Sequence, residues 1–315
     1  KEVSENFSGS RDWYKTLQPE KITFISYPYE WSFEMLKDAA LLTLQLAKEA
    51  MGYGMMLKDA SAFNVQFKNG KPVFIDTLSF ERYDASKPWI AYRQFCENFV
   101  CPLALMHYRS QPLNPMLMAY PEGIPLAITR SLLPWTSFLF FYTYLHIHLH
   151  SKWTARKIPN TPATETKFSA KKMSQLLENL TTLVQTKKWK EKPTTWNQYY
   201  DEASQRKDYL TKKKEIIADW LTKLTGISSA IDLGANTGEF SFLLAEKNIQ
   251  TVSIDFDHSA INSLYQKIRS EKRSNILPLV MDMVNPSPSI GLNNEERPSF
   301  IQRTKVDLAL ALAVI

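Results

Sequence analysis

Cysteine is nearly absent from this sequence. The 315 residues hold only Cys96 and Cys101, and two thiols make no disulfide framework, so a reducing, cytoplasmic setting is expected. The pair is read as small buried hydrophobes rather than as a redox couple. No signal-peptide pattern opens the chain, and no repeat of the solenoid kind runs through it. The stretch Ser131 to Leu149 lacks Asp, Glu, Lys and Arg altogether and approaches bilayer length. Pro134, the scattered Ser and Thr, and the closing His146, His148 and His150 argue against a span. That leaves a buried core segment or a peripheral contact with a membrane surface. His146 and His150 would share one helical face, yet no acid or cysteine beside them completes a metal site, so core or surface imidazoles are expected.

What is present fits ordinary globular protein. Hydrophobic residues make up 44% and charged residues 22%, and the length allows two domains, each with a core. Aromatics at 12% argue against disorder. The net charge of +6 is uneven, because residues 151–225 carry 16 Lys and Arg against 8 Asp and Glu. These cations alternate with helix-forming residues, so a solvated helix and linker surface is expected rather than a nucleic-acid interface.

Along the chain, residues 22–28 read as a short strand and 31–52 as a long helix, with Leu36, Ala39, Ala40, Leu44, Ala47 and Met51 at helical spacing. Residues 63–67 and 72–75 flank a hairpin tip at Asn69-Gly70. A helical region covers 89–149, broken by a Pro-rich loop at 111–125. Residues 156–166 read as a linker, and helices follow at 169–187 and 202–225. Beyond Gly226 strands and helices alternate: 229–233, 239–247, 251–255, 259–270, 276–281 and 306–314. That order implies a parallel sheet. The opening Lys and the apolar closing run 308–315 read as cut ends.

Ser229 to Leu233 enters Gly234-Ala235-Asn236-Thr237-Gly238 and then an apolar-faced helix. Such a turn needs small residues that tolerate positive φ, and Asn is the non-glycine residue best suited to it. A nicotinamide fingerprint would need glycine at 236 and 239, which are Asn and Glu. The segment resembles the first motif of class I S-adenosylmethionine-dependent methyltransferases, acidic-x-Gly-x-Gly-x-Gly, through Asp232, Gly234 and Gly238, with Asn236 in the middle glycine position. Val252 to Asp255 is similar to the family's second strand, Val280 to Met283 to its third and Val306 to Ala311 to its fourth. The resemblance implies that Asp255 holds ribose hydroxyls, that Asp282 and Met283 meet adenine, and that Gly234, Ala235, Asn236 and Gly238 accommodate the methionine end beside Asp232. Asp257 is a weaker ribose ligand, since the family acid closes its strand. The alternative is that these acids only cap or terminate strands. The same register places the sequence's end after the fourth strand, before the residues that contact the methyl acceptor.

A second constellation lies upstream. Asp59, Asn64 five residues on, and Asp76 after a hairpin resemble the catalytic loop of kinase-like and aminoglycoside-phosphotransferase-like folds. That resemblance implies Asp59 as base and Asn64 with Asp76 as Mg²⁺ ligands for Mg-ATP. The departures are Leu57 where a His is usual and Thr77-Leu78 after Asp76. An incidental hairpin with acids is the alternative.

The expected architecture is therefore α/β. It comprises a mainly helical, kinase-like domain at 1–150, a basic linker and helix at 151–195, and an incomplete Rossmann-like S-adenosylmethionine-binding sheet at 196–315. The expected activity is methyl transfer to an unidentified acceptor, with the N-terminal module selecting substrate. A phosphotransferase and a non-catalytic binding module are the alternatives.

Overall fold

The computed structural model describes residues 2–3, 6, 9, 15–155, 168–190 and 207–312. The linker expected at 156–166 lies outside the described residues, as do 202–206 of the expected helix and 313–314 of the expected last strand. The fold mixes helices with sheet.

Helix α1 (Phe33–Gly52) buries Leu36, Ala39, Ala40, Leu44 and Ala47, the stripe its periodicity demands. It stops where Gly54 takes the left-handed conformation, with φ 66°. The strand expected at 22–28 does not form. Ser26 instead donates its N–H to Gln66 Oε1 and accepts from Gln66 Nε2, both at 2.9 Å. One buried glutamine amide thus satisfies the backbone that a strand neighbour would have paired. The chain then makes a 3-10 turn (Pro28–Glu30) into α1.

After α1 come two antiparallel ribbons. Strand β1 (Met55–Leu57) pairs with β4 (Phe80–Arg82), and between them β2 (Val65–Lys68) and β3 (Lys71–Phe74) form the hairpin. Asn69 and Gly70 at its tip have φ of 52° and 69°, the geometry a two-residue hairpin turn requires. Helix α2 (Tyr92–Phe95) runs through a π-helical stretch (Cys96–Val100) into α3 (Cys101–Arg109). Cys96 and Cys101 are fully buried free thiols, and burial pushes Cys101 up to about 12. Short helices α4 (Met116–Ala119) and α5 (Leu126–Leu132) follow.

Residues 131–149 do not make one helix. Pro134 starts a 3-10 turn (Trp135–Leu139), after which α6 (Phe141–Thr143) leads into a π-helical stretch (Tyr144–Leu149) and α7 (His150–Ala155). Among the described residues no helix is long and apolar enough to cross a membrane. His146 is buried with its Nδ1 2.7 Å from Tyr92 OH, and His148 with its Nε2 2.8 Å from Ser137 Oγ. Helix α8 (Ala170–Thr186) lays Met173, Leu177, Leu180 and Val184 into the same core as α1.

Beyond α9 (Lys207–Lys223) the chain alternates β5 (Ser229–Leu233), α10 (Glu239–Glu246), β6 (Gln250–Asp255), α11 (His258–Ser270), β7 (Ile276–Val280), α12 (Phe300–Arg303) and β8 (Leu308–Ala311). The four strands form one parallel sheet in the order β8-β5-β6-β7. Strand alternation sorts its side chains to two faces. Ala230 and Leu310 pack with Ile217 and Leu221 of α9 and with Phe240 of α10. Ile231, Val252, Ile254 and Leu279 point the other way, into the core that contains Trp31, Phe33, Phe95 and Leu180. The N-terminal half is thus the second coat of the sheet.

Helix α11 binds the halves together. Ser32, the N-cap residue of α1, makes no side-chain cap. Phe33 N–H donates to His258 Nε2 at 3.0 Å and Glu34 N–H to Asn262 Oδ1 at 2.9 Å. One and two turns on, Tyr265 OH and Arg269 reach Asp38 at 2.8 and 2.7 Å. Separately, buried Glu30 forms an ion pair with Arg303 of α12, whose guanidinium lies over Tyr27 at 4.4 Å.

His258 accepts a hydrogen bond only while neutral, and burial lowers it to about 4 from its ordinary 6.5. The unfolded chain therefore takes up the proton first, and stability falls as pH drops from 6.5 towards 4. His258→Gln, which retains an acceptor, should flatten the acid limb of a urea-denaturation series by up to about 3 kcal/mol. His146 and His148, lowered the same way to about 4, keep part of the slope.

Candidate functional site

The glycine loop leaves β5 and is pinned by β6. Gly234 and Ala235 both donate N–H to Ile254 O at 2.9 Å, and Asn236 N–H donates to Asp255 Oδ2 at 2.8 Å. Asn236 Oδ1 accepts from Thr237 N–H at 2.8 Å, and Gly238 N–H returns to Ala235 O at 2.8 Å. Gly234, Asn236 and Gly238 all sit at positive φ, 72°, 48° and 88°. At 238 a second constraint applies: a Cβ there would collide with Leu264 Cδ1 of α11. The glycine permits both the turn and the close helix approach.

Asp232 and Asp255 have different environments. Asp232 sits inside β5, and its Oδ2 accepts from Ser241 Oγ of α10 at 2.6 Å, while Ser253 Oγ of β6 donates to Ser241 at 2.8 Å. It ties helix to sheet beneath the loop. Burial pushes its carboxyl up to about 6. Asp255 closes β6 and faces the loop, with Oδ1 accepting from Asp257 N–H at 2.8 Å. Burial raises it also, against the hydrogen bonds that hold it ionised. The Phe256 backbone N–H also bonds this carboxylate. A carboxylate has about four acceptor positions, so these three bonds leave capacity for about one further donor. Asp257 is the N-cap of α11, its Oδ1 accepting from Ser259 and Ala260 N–H.

Strand β7 delivers the next pair of residues to the same edge. Met281 N–H donates to Asp255 O at 2.8 Å, which fixes the exposed Asp282 and half-buried Met283 beside the end of β6. Asp282 Oδ1 accepts from Val284 N–H at 2.8 Å. The strand carboxyl ends therefore bring the glycine loop, Asp255, Asp282 and Met283 together. Asp307 is elsewhere. It precedes β8 at the opposite edge, where its Oδ2 accepts from Ser228 and Ser229 N–H at 2.9 Å, and these bonds hold it down to about 2. Its spacing behind Asp282 follows the strand–helix repeat, but its role is to cap the start of β5. A cavity of about 240 Å³ lies at that far edge too, between Phe24, Gly70, Ser229 and Asn275, away from the loop.

Two residues at the loop end escaped the sequence reasoning. Phe256 follows Asp255 and is 58% exposed, and Val284 is 94% exposed. An aromatic directly after the strand-ending acid was the available signal for the first, whereas nothing in the sequence marked the second.

In the N-terminal half, Asn64 and Asp76 meet through Ser79. Asn64 Nδ2 donates to Ser79 Oγ at 3.2 Å, and Ser79 Oγ donates to Asp76 Oδ2 at 2.6 Å. Asp76 also caps the following 3-10 turn by accepting from Leu78 N–H. Asp59 accepts from Gln94 Nε2 at 2.9 Å and from Ser61 N–H at 3.0 Å. Gln94 and Ser79 are the partners that sequence reasoning missed. Among the described residues no group of three or more His, Cys, Asp or Glu side chains is arranged to hold a metal.

Because Asp232 carries a raised pKa, the folded state binds its proton more tightly than the unfolded chain does. Its contribution to stability is largest below 3.8 and falls as pH rises to about 6. Asp232→Asn keeps an acceptor for Ser241 and removes that titration. The variant's stability relative to the parent should climb through this window by up to about 3 kcal/mol, read by chemical denaturation at stepped pH. A flat difference would mean that Asp232 is ionised at little cost.

No family model matches the chain, and no solved structure matches it. The chain is similar to the nodulation protein NoeA of Rhizobium meliloti (strain 1021), with 32% identity over 307 residues, which is 95% of this chain and 64% of that protein. The chain thus spans just under two thirds of the length of the relative it matches.

Proposed function

We propose that the parallel-sheet unit is a Rossmann-like, S-adenosylmethionine-binding domain of the class I methyltransferase kind, and that the chain takes part in methyl transfer. The observation that carries this is the junction of Asn236 with Asp255, where a left-handed, small-residue turn is hydrogen-bonded to the acid that ends the adjacent strand. The sheet order β8-β5-β6-β7 puts the loop at the strand carboxyl ends, where open α/β sheets take their ligands.

The donor set favours this cofactor over a dinucleotide. A pyrophosphate seeks free backbone N–H groups in the glycine turn. Here the N–H groups of residues 234, 235, 236, 237 and 238 are all taken by protein acceptors. The surroundings suit a cation and a diol better. Asp255 retains acceptor capacity for a ribose hydroxyl, Met283 and Phe256 offer apolar surface to a purine, and Asp282 offers an acceptor to its amino group. When bound, the cofactor supplies an electrophilic methyl group on a sulfonium. What these residues contribute is placement: Asp255 fixes the ribose, and the turn lets the methionine end approach the backbone. The N-terminal module, which covers the second face of the sheet, would select or present the acceptor.

Calorimetric titration with S-adenosylmethionine should give a saturable isotherm that weakens on the order of ten- to a hundredfold in Asp255→Ala, since a charge-assisted hydrogen bond to a buried carboxylate is lost. Equal affinity in the variant, at unchanged melting temperature, would remove Asp255 from the site.

One observation favours a second activity. Asn64, Ser79 and Asp76 are hydrogen-bonded together while Gln94 orients Asp59, so the loop resembling a kinase-like catalytic loop has its acids and amide ordered by the fold. On that reading Asn64 and Asp76 hold Mg²⁺ with ATP, and Asp59 is the base. Mg-ATP should then raise the melting temperature of the parent protein and leave that of Asp76→Asn unchanged. An equal effect on both would leave the loop a structural hairpin.

A further inference from the structure

The loop between α5 and α6 presents its apolar side chains to solvent. Trp135 is 73% exposed, Leu139 72%, Phe141 68% and Phe140 53%. Four large apolar side chains this exposed within seven residues are uncommon on a protein that meets only water. The loop is nevertheless anchored. Phe138 stacks on His148 at 3.7 Å and 16°, and Ser137 Oγ bonds to Pro134 O at 2.6 Å. Below it, buried Lys187 donates to the hydroxyls of Tyr108 and Thr143, at 3.1 and 2.8 Å, with its ammonium 5.7 Å from the Phe140 ring.

The charge along this segment of the chain has one sign. No Asp or Glu occurs between Glu122 and Glu165, whereas Arg130 and Lys152 do. Both lie close enough to His148, the residue under Phe138, to disfavour its protonated form. The exposed Arg109 donates from Nε to Leu132 O and adds a third cation at the loop's base.

We propose that loop 132–141 is a docking surface for an anionic bilayer. In that placement Trp135, Leu139 and Phe141 enter the headgroup region, and Arg109, Arg130 and Lys152 meet lipid phosphates. Indole and phenyl rings favour that depth, and each nearby cation adds attraction to anionic lipid. The charge complementarity selects this occupant over a second copy of the chain. A two-fold contact would set the same acid-free, cationic segment against itself.

The test is co-sedimentation of the chain with phosphatidylcholine vesicles, with and without phosphatidylglycerol. Binding is expected on the phosphatidylglycerol vesicles and should weaken with added salt. The variant Trp135→Ser/Leu139→Ser/Phe141→Ser changes only exposed side chains and should melt as the parent does. It should bind at least about a hundredfold more weakly. Arg130→Gln/Lys152→Gln should cost on the order of tenfold at low salt. Sedimentation of the triple variant equal to the parent's would overturn the proposal, as would no binding to either vesicle. Failure to bind vesicles, together with a concentration-dependent dimer that the triple variant abolishes, would assign the patch to a protein contact instead. None of these outcomes depends on the S-adenosylmethionine reading.

Discussion

Helix α1 begins without a cap of its own, and the rest of the structure is arranged around how that need is met. Its first N–H groups point into protein rather than water, where an unpaired donor costs about 1–3 kcal/mol. His258 and Asn262 of α11 accept from Phe33 and Glu34 across more than 200 residues of sequence. Those two acceptors, with Tyr265 and Arg269 on Asp38, lie along one face of α11. The adjacent face of the same helix carries Ile261, Leu264 and Ile268 into the core beside β7. A helix buried on two faces leaves little room for relative movement of the elements it joins.

The sheet has a matching double requirement. A parallel sheet is stable only with both faces covered. Helices α9 and α10 cover Ala230 and Leu310, while the other face, with Ile231, Val252 and Ile254, is covered by residues from the first half of the chain. Glu30 and Arg303 close the margin of that contact, and removing either partner would leave a buried charge uncompensated. On the methyltransferase reading, the N-terminal half is therefore more than an appended module. It supplies the coat that keeps the strand ends, and so Asp255 and the glycine loop, in register.

Local pattern made much of this legible. Helix α1, the Asn69-Gly70 hairpin and every element from β5 to β7 follow from periodicity and turn chemistry, because each rests on interactions between neighbours in sequence. The strand expected at 22–28 failed for a non-local reason, since its partner is the side chain of Gln66 rather than a backbone. Asp307 shows the limit of spacing: a strand–helix period fixes how often an acid recurs but not at which end of the strand it lies. The seam between α1 and α11 was invisible because His258 and Asn262 carry no motif, and only folding brings them to the start of α1.

The two acids of the loop show why the site divides its work. Asp232 is held beneath the turn by Ser241 and Ser253, in surroundings that favour its protonated form up to about pH 6. It joins β5, α10 and β6 at one point, and those three elements set the position of the turn. Asp255 is bonded on both oxygens by backbone N–H groups, of the Asn236 turn and of the residue that caps α11, an arrangement that favours the charged carboxylate against its burial. A ligand hydroxyl reaching Asp255 would meet an acceptor already oriented, with its own neighbours satisfied. On the methyltransferase reading, that preorganisation comes from the Asn236 turn as much as from the acid itself.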